Sequence, residues 1–575
     1  MTNIALKTIY ALITIITLIV PAQAQDNPLY SGKSRFHPVV AKNGMVASEN
    51  KYATQAGLQV LKEGGNAVDA AVTIGFTMAV TFPRAGNLGG GGFMLVYLAD
   101  KNEVISIDYR EKAPLQATRD MFLDKEGNVD KEKSRHSILS AGVPGTVAGL
   151  ALALERYGTI SLKRALQPAI ELAQKGFPVD YELSKSLSQA KSQMERSPAS
   201  MKIFYKQNGE PYKNGEILTQ ENLAWSLKQI AQKGPQTFYN GDIAQKIASF
   251  MKQDGGLITS LDLKSYKAVT RKPVEGEYRG YKVYSMPPPS SGGVHLIQML
   301  NVLEQFPLSS FGHNTSKTIH IFAETMKHAY ADRSKYLGDP DFSPIPVSEL
   351  TSKQYAELIK EQIDMEQATP SNKILPGDVI GDEGANTTHF SVMDSEGNAV
   401  SNTYTLNFSY GSKITVPGTG ILLNNEMDDF SAKPGNPNAY GLVGGKLNAI
   451  APEKRMLSSM SPTIVMKDGN PFLITGSPGG SRIITTVLQI ILNVIDFNMN
   501  ISEATNSVRV HHQWLPDVLN VETGLNEDTI SLLRKMGYKV EIGRTIGVAE
   551  SIIKDEGFMY GASDPRRPGG LTEGY

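Results

Sequence analysis

The sequence predicts a layered α+β architecture, and three observations predict it. Hairpin-like alternating segments stand in both halves of the chain, long helical stretches separate them, and no internal repeat organises either half. Taken in order, alanines and aliphatics at helical spacing predict helices around 51–58 and over 67–80. Asn87-Leu88-Gly89-Gly90-Gly91-Gly92-Phe93 then leads into a strand at 94–98. The turn Ala99-Asp100-Lys101-Asn102 returns a second strand over 104–109, ending at Arg110. Residues 145–175, 217–255 and 316–337 read as mainly helical. Pro287-Pro288-Pro289-Ser290-Ser291-Gly292-Gly293 reads as a rigid connection before an apolar helix over 295–303. From Thr387 the texture changes to strands at 387–394 and 399–406 about the turn Ser395-Glu396-Gly397-Asn398. Further strands follow near 463–466 and 471–475, with a buried helix over 487–494.

The chain has 575 residues, 41% hydrophobic and 20% charged, an ordinary globular composition with ample core. Length alone suggests about three to four domains, although a layered sheet can run longer as one unit. A net charge of -1 argues against nucleic acid or an anionic membrane as partner. The absence of cysteine removes disulfides, thiol catalysis and thiolate metal sites together. The nine histidines form no metal pattern: His511-His512 are adjacent and point apart on either a strand or a helix. Neither His-Glu-x-x-His nor Gly-x-Ser-x-Gly occurs, so neither a metallohydrolase nor a serine hydrolase is expected, and no metal or cofactor.

The first 24 residues are a different material. Residues 9–20 are almost wholly apolar, and Ala22-Gln23-Ala24 has the small-x-small pattern of a signal peptidase site. An apolar core of about 7–15 residues before such a site reads as a secretory signal, since about 20 are needed to span a bilayer. The mature protein is expected to begin near Gln25 and to be exported without a membrane anchor.

Ser371-Asn372-Lys373-Ile374-Leu375-Pro376-Gly377-Asp378 through Gly384-Ala385-Asn386 is polar, bears Gly and Pro, and has no periodicity, so it reads as an exposed, cuttable loop. Directly after it stand Thr387-Thr388-His389 at the mouth of a strand. A threonine hydroxyl is a weak nucleophile unless a base is adjacent. Were the Asn386–Thr387 bond broken, Thr387 would carry a free α-amine with a reference pKa of about 7.7–8.0. That amine can serve its own hydroxyl as general base. Attack of the hydroxyl on the preceding carbonyl, with water resolving the ester, is a self-consistent route to that state. The plain alternative is a β-branched strand start. Likewise Arg110 alone reads as a surface charge, and Asp428-Asp429 as a solvated turn.

Context decides between these readings. Asn386-Thr387-Thr388-His389 is followed by Thr403-Tyr404-Thr405-Leu406-Asn407, Leu423-Asn424-Asn425-Glu426-Met427-Asp428-Asp429, Leu457-Ser458-Ser459-Met460-Ser461-Pro462 and Gly476-Ser477-Pro478-Gly479-Gly480-Ser481. Before it stand the four glycines at 89–92, Asp108-Tyr109-Arg110-Glu111, Gly142-Val143-Pro144-Gly145-Thr146 and the proline run; Ala562-Ser563-Asp564-Pro565-Arg566-Arg567 closes the set. In this order, over essentially the whole mature chain, the motifs resemble the γ-glutamyltransferase (γ-glutamyltranspeptidase, glutathione hydrolase) family of bacterial type.

That resemblance implies an N-terminal nucleophile hydrolase fold, a four-layer αββα sandwich matured by self-cleavage at Asn386/Thr387. A signal peptide 1–24, a large chain 25–386 and a small chain 387–575 would follow, the two chains forming one processed heterodimer. It also implies Thr387 as nucleophile, Thr405 as the residue that positions it, and the Gly479 and Gly480 N–H groups as oxyanion donors. Backbone can approach a ligand closely where no Cβ intervenes. The implied substrates are γ-glutamyl donors such as glutathione, with glutamine as a further candidate, and amino acid or dipeptide acceptors. Arg110, Ser458 and Ser459 would hold the donor's α-carboxylate; Asn407, Glu426 and Asp429 its α-ammonium. The family uses Glu or Gln at position 426. Pro434-Gly435-Asn436-Pro437-Asn438-Ala439-Tyr440 and the residues to Gly445 match a lid loop closed by Tyr440. The four glycines lack the Gly-Lys-Ser/Thr of a phosphate loop and read as close packing near the site. Periplasmic location is expected before full secretion. Within the fold, the competing activity is an acylase for glutaryl-type amides; outside catalysis, it is a binding protein for γ-glutamyl compounds.

Overall fold

The computed structural model describes residues 34–374 and 387–575. The signal segment 1–24 and Asn386, one side of the expected cleavage point, lie outside the described residues. Two seven-stranded sheets dominate. The first runs in the order Leu571–Gly574, Met45–Ser48, Thr387–Met393, Ala399–Thr405, Gly91–Leu98, Glu103–Asp108, Val269–Arg271. The second runs Val39–Ala41, Phe558–Ser563, Glu550–Asp555, Asn470–Thr475, Thr463–Lys467, Tyr281–Ser285, Val274–Tyr278. Neighbouring strands in both sheets pair antiparallel.

Three cores divide the layers. Side chains alternate across a strand, so one face of Thr387–Met393 sends Phe390 and Val392 outward. There they join Phe76, Met94, Val96 and Leu150 under the helices Ala67–Thr81 and Thr146–Tyr157. Met393, from the other face, joins Met45, Leu95, Ile464, Ile474 and Ile552 between the sheets. Beyond the second sheet, Val465 and Leu473 pack with Leu296, Phe322 and Ile491 of the helices Gly292–Leu303, Ser316–Tyr336 and Arg482–Ile495. Helix, sheet, sheet, helix is the four-layer αββα arrangement. Each fully buried aliphatic or aromatic side chain contributes roughly 1.5–3 kcal/mol. Among the described residues, no helix is long and apolar enough to cross a membrane.

Local chemistry accounts for the element ends. Asn66 and Asp69 form a capping box that starts the helix Ala67–Thr81. The expected strand at 94–98 begins three residues earlier, so Gly91 and Gly92 lie inside it. A Cβ on Gly90 would strike the Thr405 carbonyl, and one on Gly91 the Tyr109 carbonyl and the Glu111 carboxylate. The glycine run therefore lets the central strands approach the site's backbone. The helix expected from 295 starts at Gly292, because only a residue without Cβ fits there against Ser461.

One expectation is corrected. The segment from Ser371 reads in sequence as exposed loop, yet Ser371–Lys373 is a 3-10 turn with Ser371 and Ile374 buried. The indole Nε1 of buried Trp514 needs an acceptor and finds the carbonyls of Ser371 and Ile374, at 2.9 and 3.0 Å. Residues 375–386 lie outside the described residues.

Candidate active site

Thr387 pairs directly with Thr405, which pairs in turn with Gly91. Thr387, His389 and Ser391 share the face toward the second sheet, where His389 Nδ1 lies 2.8 Å from Thr403 Oγ1 and Ser391 Oγ donates to the Glu550 carbonyl at 2.8 Å. Thr388 points to the opposite face, so of the two adjacent hydroxyls only that of Thr387 faces the inter-sheet layer. Its Oγ1 stands 3.5 Å from Thr405 Oγ1, and Thr405 Oγ1 accepts the Asn407 N–H at 2.7 Å.

Arg110 follows the strand Glu103–Asp108 and is fully buried. Its Nη1 donates to Glu426 Oε1, its Nη2 to Asp429 Oδ2 at 2.5 Å, and its Nε to the Met456 carbonyl at 3.2 Å. Glu111 Oε2 lies 3.5 Å from Nη1. Burial opposes the guanidinium charge, but Glu426, Asp429 and Glu111 outweigh it and raise the Arg110 pKa above its ordinary value. Burial also raises all three carboxyls against the pull of Arg110: Glu426 well above the usual range, Asp429 upward, Glu111 to about 7. These groups titrate as one system.

The remaining walls come from two loops and a helix, with the Tyr440 lid over them. Ser458 and Ser459 arrive from the segment before Thr463–Lys467, Gly480 from the one before Arg482–Ile495, and Arg333 from the helix Ser316–Tyr336. Arg110, Arg333, Thr387, Thr405, Asn407, Glu426, Asp429, Tyr440, Ser458, Ser459 and Gly480 together line one cavity of about 20 Å³, room for little more than a water. Tyr440 closes it, its hydroxyl donating to the Asn407 carbonyl at 2.8 Å and to Asn407 Oδ1. The lid loop is tied down beside it: Asn438 Nδ2 donates to Asp429 Oδ1 at 3.1 Å, and the Ala439 N–H to Asp428 Oδ2 at 3.0 Å. Gly480 has φ +56°, and a Cβ there would sit 2.5 Å from the Tyr440 ring.

Every predicted site residue within the described part converges on this cavity except Gly479. It lines the adjoining outer cavity of about 330 Å³ together with Arg482, Arg544 and Arg567, and Tyr440 stands in the wall of both. Arg110 and Asp429, readable in isolation as surface groups, are instead paired, the arginine fully buried and the aspartate partly so. Sequence reasoning missed Arg333: inside a long helix buried from Thr318 to Ser334, a single arginine carries no motif. Among the described residues no cluster of His, Asp and Glu could hold a metal ion.

Known proteins resemble the chain over nearly its full length. The family described as Gamma-glutamyltranspeptidase matches residues 53–573. The chain is 56% identical over 541 residues to the glutathione hydrolase proenzyme of Escherichia coli (strain K12), covering 94% of this chain and 93% of that one. Among solved structures, cephalosporin acylase from Bacillus halodurans superposes with a TM-score of 0.84 at 29% identity, covering 95% of this chain and 98% of that chain. Helicobacter pylori gamma-glutamyltranspeptidase superposes with a TM-score of 0.56 at 49% identity, covering 57% of this chain and 93% of its own.

Proposed function

The chain belongs to the γ-glutamyltranspeptidase family, and from that premise we propose that Thr387 is the nucleophile with which it cleaves γ-glutamyl amides such as glutathione. The product glutamyl group passes to water or to an amino acid or dipeptide. The enzyme is made as a proenzyme, and breaking the Asn386–Thr387 bond would release the Thr387 amine.

That amine takes the proton of Thr387 Oγ1 as the oxygen attacks the γ-carbonyl. Negative charge develops on the carbonyl oxygen, toward the N–H groups of Gly479 and Gly480, and preorganised donors of this kind contribute roughly 3–4 kcal/mol. Collapse returns the proton to the departing amine and leaves a γ-glutamyl ester on Thr387. Water or an acceptor amine then repeats the sequence and regenerates the hydroxyl. Thr405 holds the nucleophile's hydroxyl in line.

At the other end of the donor, an entering α-carboxylate exchanges with Glu426 and Asp429 at Arg110, aided by Ser458 and Ser459. The displaced carboxylates and the Asn407 side chain receive the α-ammonium. Glu426 Oε2, buried with no hydrogen-bond partner among the described residues, is one such waiting acceptor. Tyr440 must swing out for this to happen, because the closed cavity holds no amino acid. The carrying observation is the joint placement of Thr387, opposite Thr405, with the Arg110–Glu426–Asp429 cluster in one cavity.

Residues 1–24 support export to the periplasm, and a large and a small chain derived from one precursor are the working partners. Similarity to a cephalosporin acylase favours one second reading, cleavage of a glutaryl amide. A glutaryl chain has no ammonium for Asp429 and Glu426 to bind, which favours the glutamyl head group. Intact mass of the wild type beside Thr387→Ala, followed by rates on glutathione and on a glutaryl amide, tests both. Two fragments from wild type only, the smaller beginning at Thr387, and faster glutathione cleavage are expected. A wild type that stays one chain, or prefers the glutaryl amide, overturns the proposal.

A further inference from the structure

We propose that Arg333 is a positioning residue for the donor's α-carboxylate, acting by fixing the direction in which the Ser459 hydroxyl donates; the inference rests on the γ-glutamyl reading of the site. Arg333 is buried on the helix Ser316–Tyr336 and reaches the cavity wall. Its Nε donates to Ser291 Oγ at 3.0 Å and its Nη2 to Ser459 Oγ at 3.3 Å. A guanidinium has donors only, so both serine oxygens must accept.

The two serines then differ in what they do with their own protons. Ser291 Oγ donates to the Ser458 carbonyl at 2.8 Å, and the Ser291 N–H joins it there at the same distance. Ser291 therefore braces the backbone that carries the serine pair. Ser459, with a lone pair engaged by Arg333, has its O–H turned away from the guanidinium, toward the cavity that both residues line. Ser458 is set in a parallel way, its Oγ accepting the Met460 N–H at 3.1 Å. Both hydroxyls are thus preset as donors. A carboxylate is an acceptor and nothing else, so the pair is matched to one before it arrives.

Charge adds to direction. Two guanidiniums, Arg110 and Arg333, line the cavity with two carboxylates, Glu426 and Asp429. Removing Arg333 takes away one of the two cations that the anionic end of a donor meets in this cavity. Burial lowers the Arg333 pKa only to about 10, so the cation persists at neutral pH.

The test compares kcat/KM for L-γ-glutamyl-p-nitroanilide with that for 4-aminobutyryl-p-nitroanilide, which differs by the α-carboxylate alone. The ratio is read in wild type, Arg333→Met, Arg333→Lys, Ser459→Ala and the Arg333→Met/Ser459→Ala double variant. A ratio within one preparation cancels losses of folded enzyme. Arg333→Met is expected to lower the ratio at least tenfold, mainly through KM of the carboxylate-bearing donor. Ser459→Ala should do likewise, and the double variant should fall no further than the worse single one, the signature of residues acting as a unit. Arg333→Lys, which keeps the charge but loses the fork, should fall in between; it carries the test with Ser459→Ala if the Met variant does not fold. An unchanged ratio beside a reduced rate would make Arg333 a purely structural brace and sink the proposal, as would multiplied losses in the double variant. A wild type indifferent to the carboxylate would overturn the γ-glutamyl reading itself.

Discussion

The hydroxyls of Thr387 and Thr405 face each other across one rung of the central ladder, 3.5 Å apart. Thr405 Oγ1 is held from its other side by the Asn407 N–H. Thr405→Val keeps the shape and removes this oxygen, leaving the Thr387 hydroxyl without its aligned neighbour and the Asn407 N–H without its acceptor. Self-cleavage should slow at least tenfold, and Thr405→Ser should recover most of it. The fraction of two-chain protein on denaturing gels, followed in time after purification, reads this directly. Maturation of the valine variant at the wild-type pace would free Thr405 of the role.

Arg110 and Asp429 form an ion pair in which the arginine is fully buried and the aspartate side chain 12% exposed, so removing one member, which leaves the other charge uncompensated, costs up to roughly the 3–5 kcal/mol of a fully buried pair. Arg110→Met and Asp429→Leu should each lower the urea midpoint, and the double variant should lose less than the sum of the two. Each single variant should also raise KM for a γ-glutamyl donor, since each removes a group that receives one end of it. Strictly additive stability losses would mean that the pair does not interact as drawn.

The hairpins around the nucleophile were legible because their strands are bounded by strong turns, Ala99-Asp100-Lys101-Asn102 and Ser395-Glu396-Gly397-Asn398. The strands Met45–Ser48, Glu550–Asp555 and Phe558–Ser563 were not read from sequence. Ser48, Glu550 and Ser551 are buried polar residues on them, which masks the apolar alternation that marks a half-buried strand. The site was legible only as an ordered set of motifs. Arg110 and Asp429 are 319 positions apart, and no local pattern announces that a long-range fold will pair them. Arg333 and Ser291 stayed invisible for the same reason. Their role is set by the direction of a hydrogen bond, which depends on tertiary contact.

Gly480 combines a left-handed backbone with a missing side chain at the lid. Gly480→Ala pays twice: about 1–2 kcal/mol for φ +56°, and a clash of its Cβ with the Tyr440 ring. Either adjustment moves the segment expected to supply oxyanion donors, so kcat should fall about 10²–10³-fold. Steady-state kinetics on the two-chain enzyme measure it. Wild-type kcat in this variant would remove the 479–480 backbone from the chemistry.

Glu111 gives the fold a pH dependence with a definite sign. Burial, against the pull of Arg110, pushes its carboxyl from 4.5 up to about 7. As pH rises from 4.5 toward 7, the unfolded chain ionises Glu111 while the folded chain keeps the proton, so the folded state holds more protons and stability falls. Above about 7 both forms are ionised and the loss is complete. Glu111→Gln has no proton to lose, so its urea midpoint should drop less than that of wild type between pH 5 and 7.5. Groups shifted the other way, such as buried His389, whose pKa burial lowers to about 3, lose stability as pH falls and do so equally in both proteins. The wild-type-minus-variant difference therefore reports Glu111 together with the Glu426 and Asp429 carboxyls coupled to it. A difference flat across this window would show that the proton of the cluster resides on Glu426 instead, whose carboxyl is pushed up by the same burial.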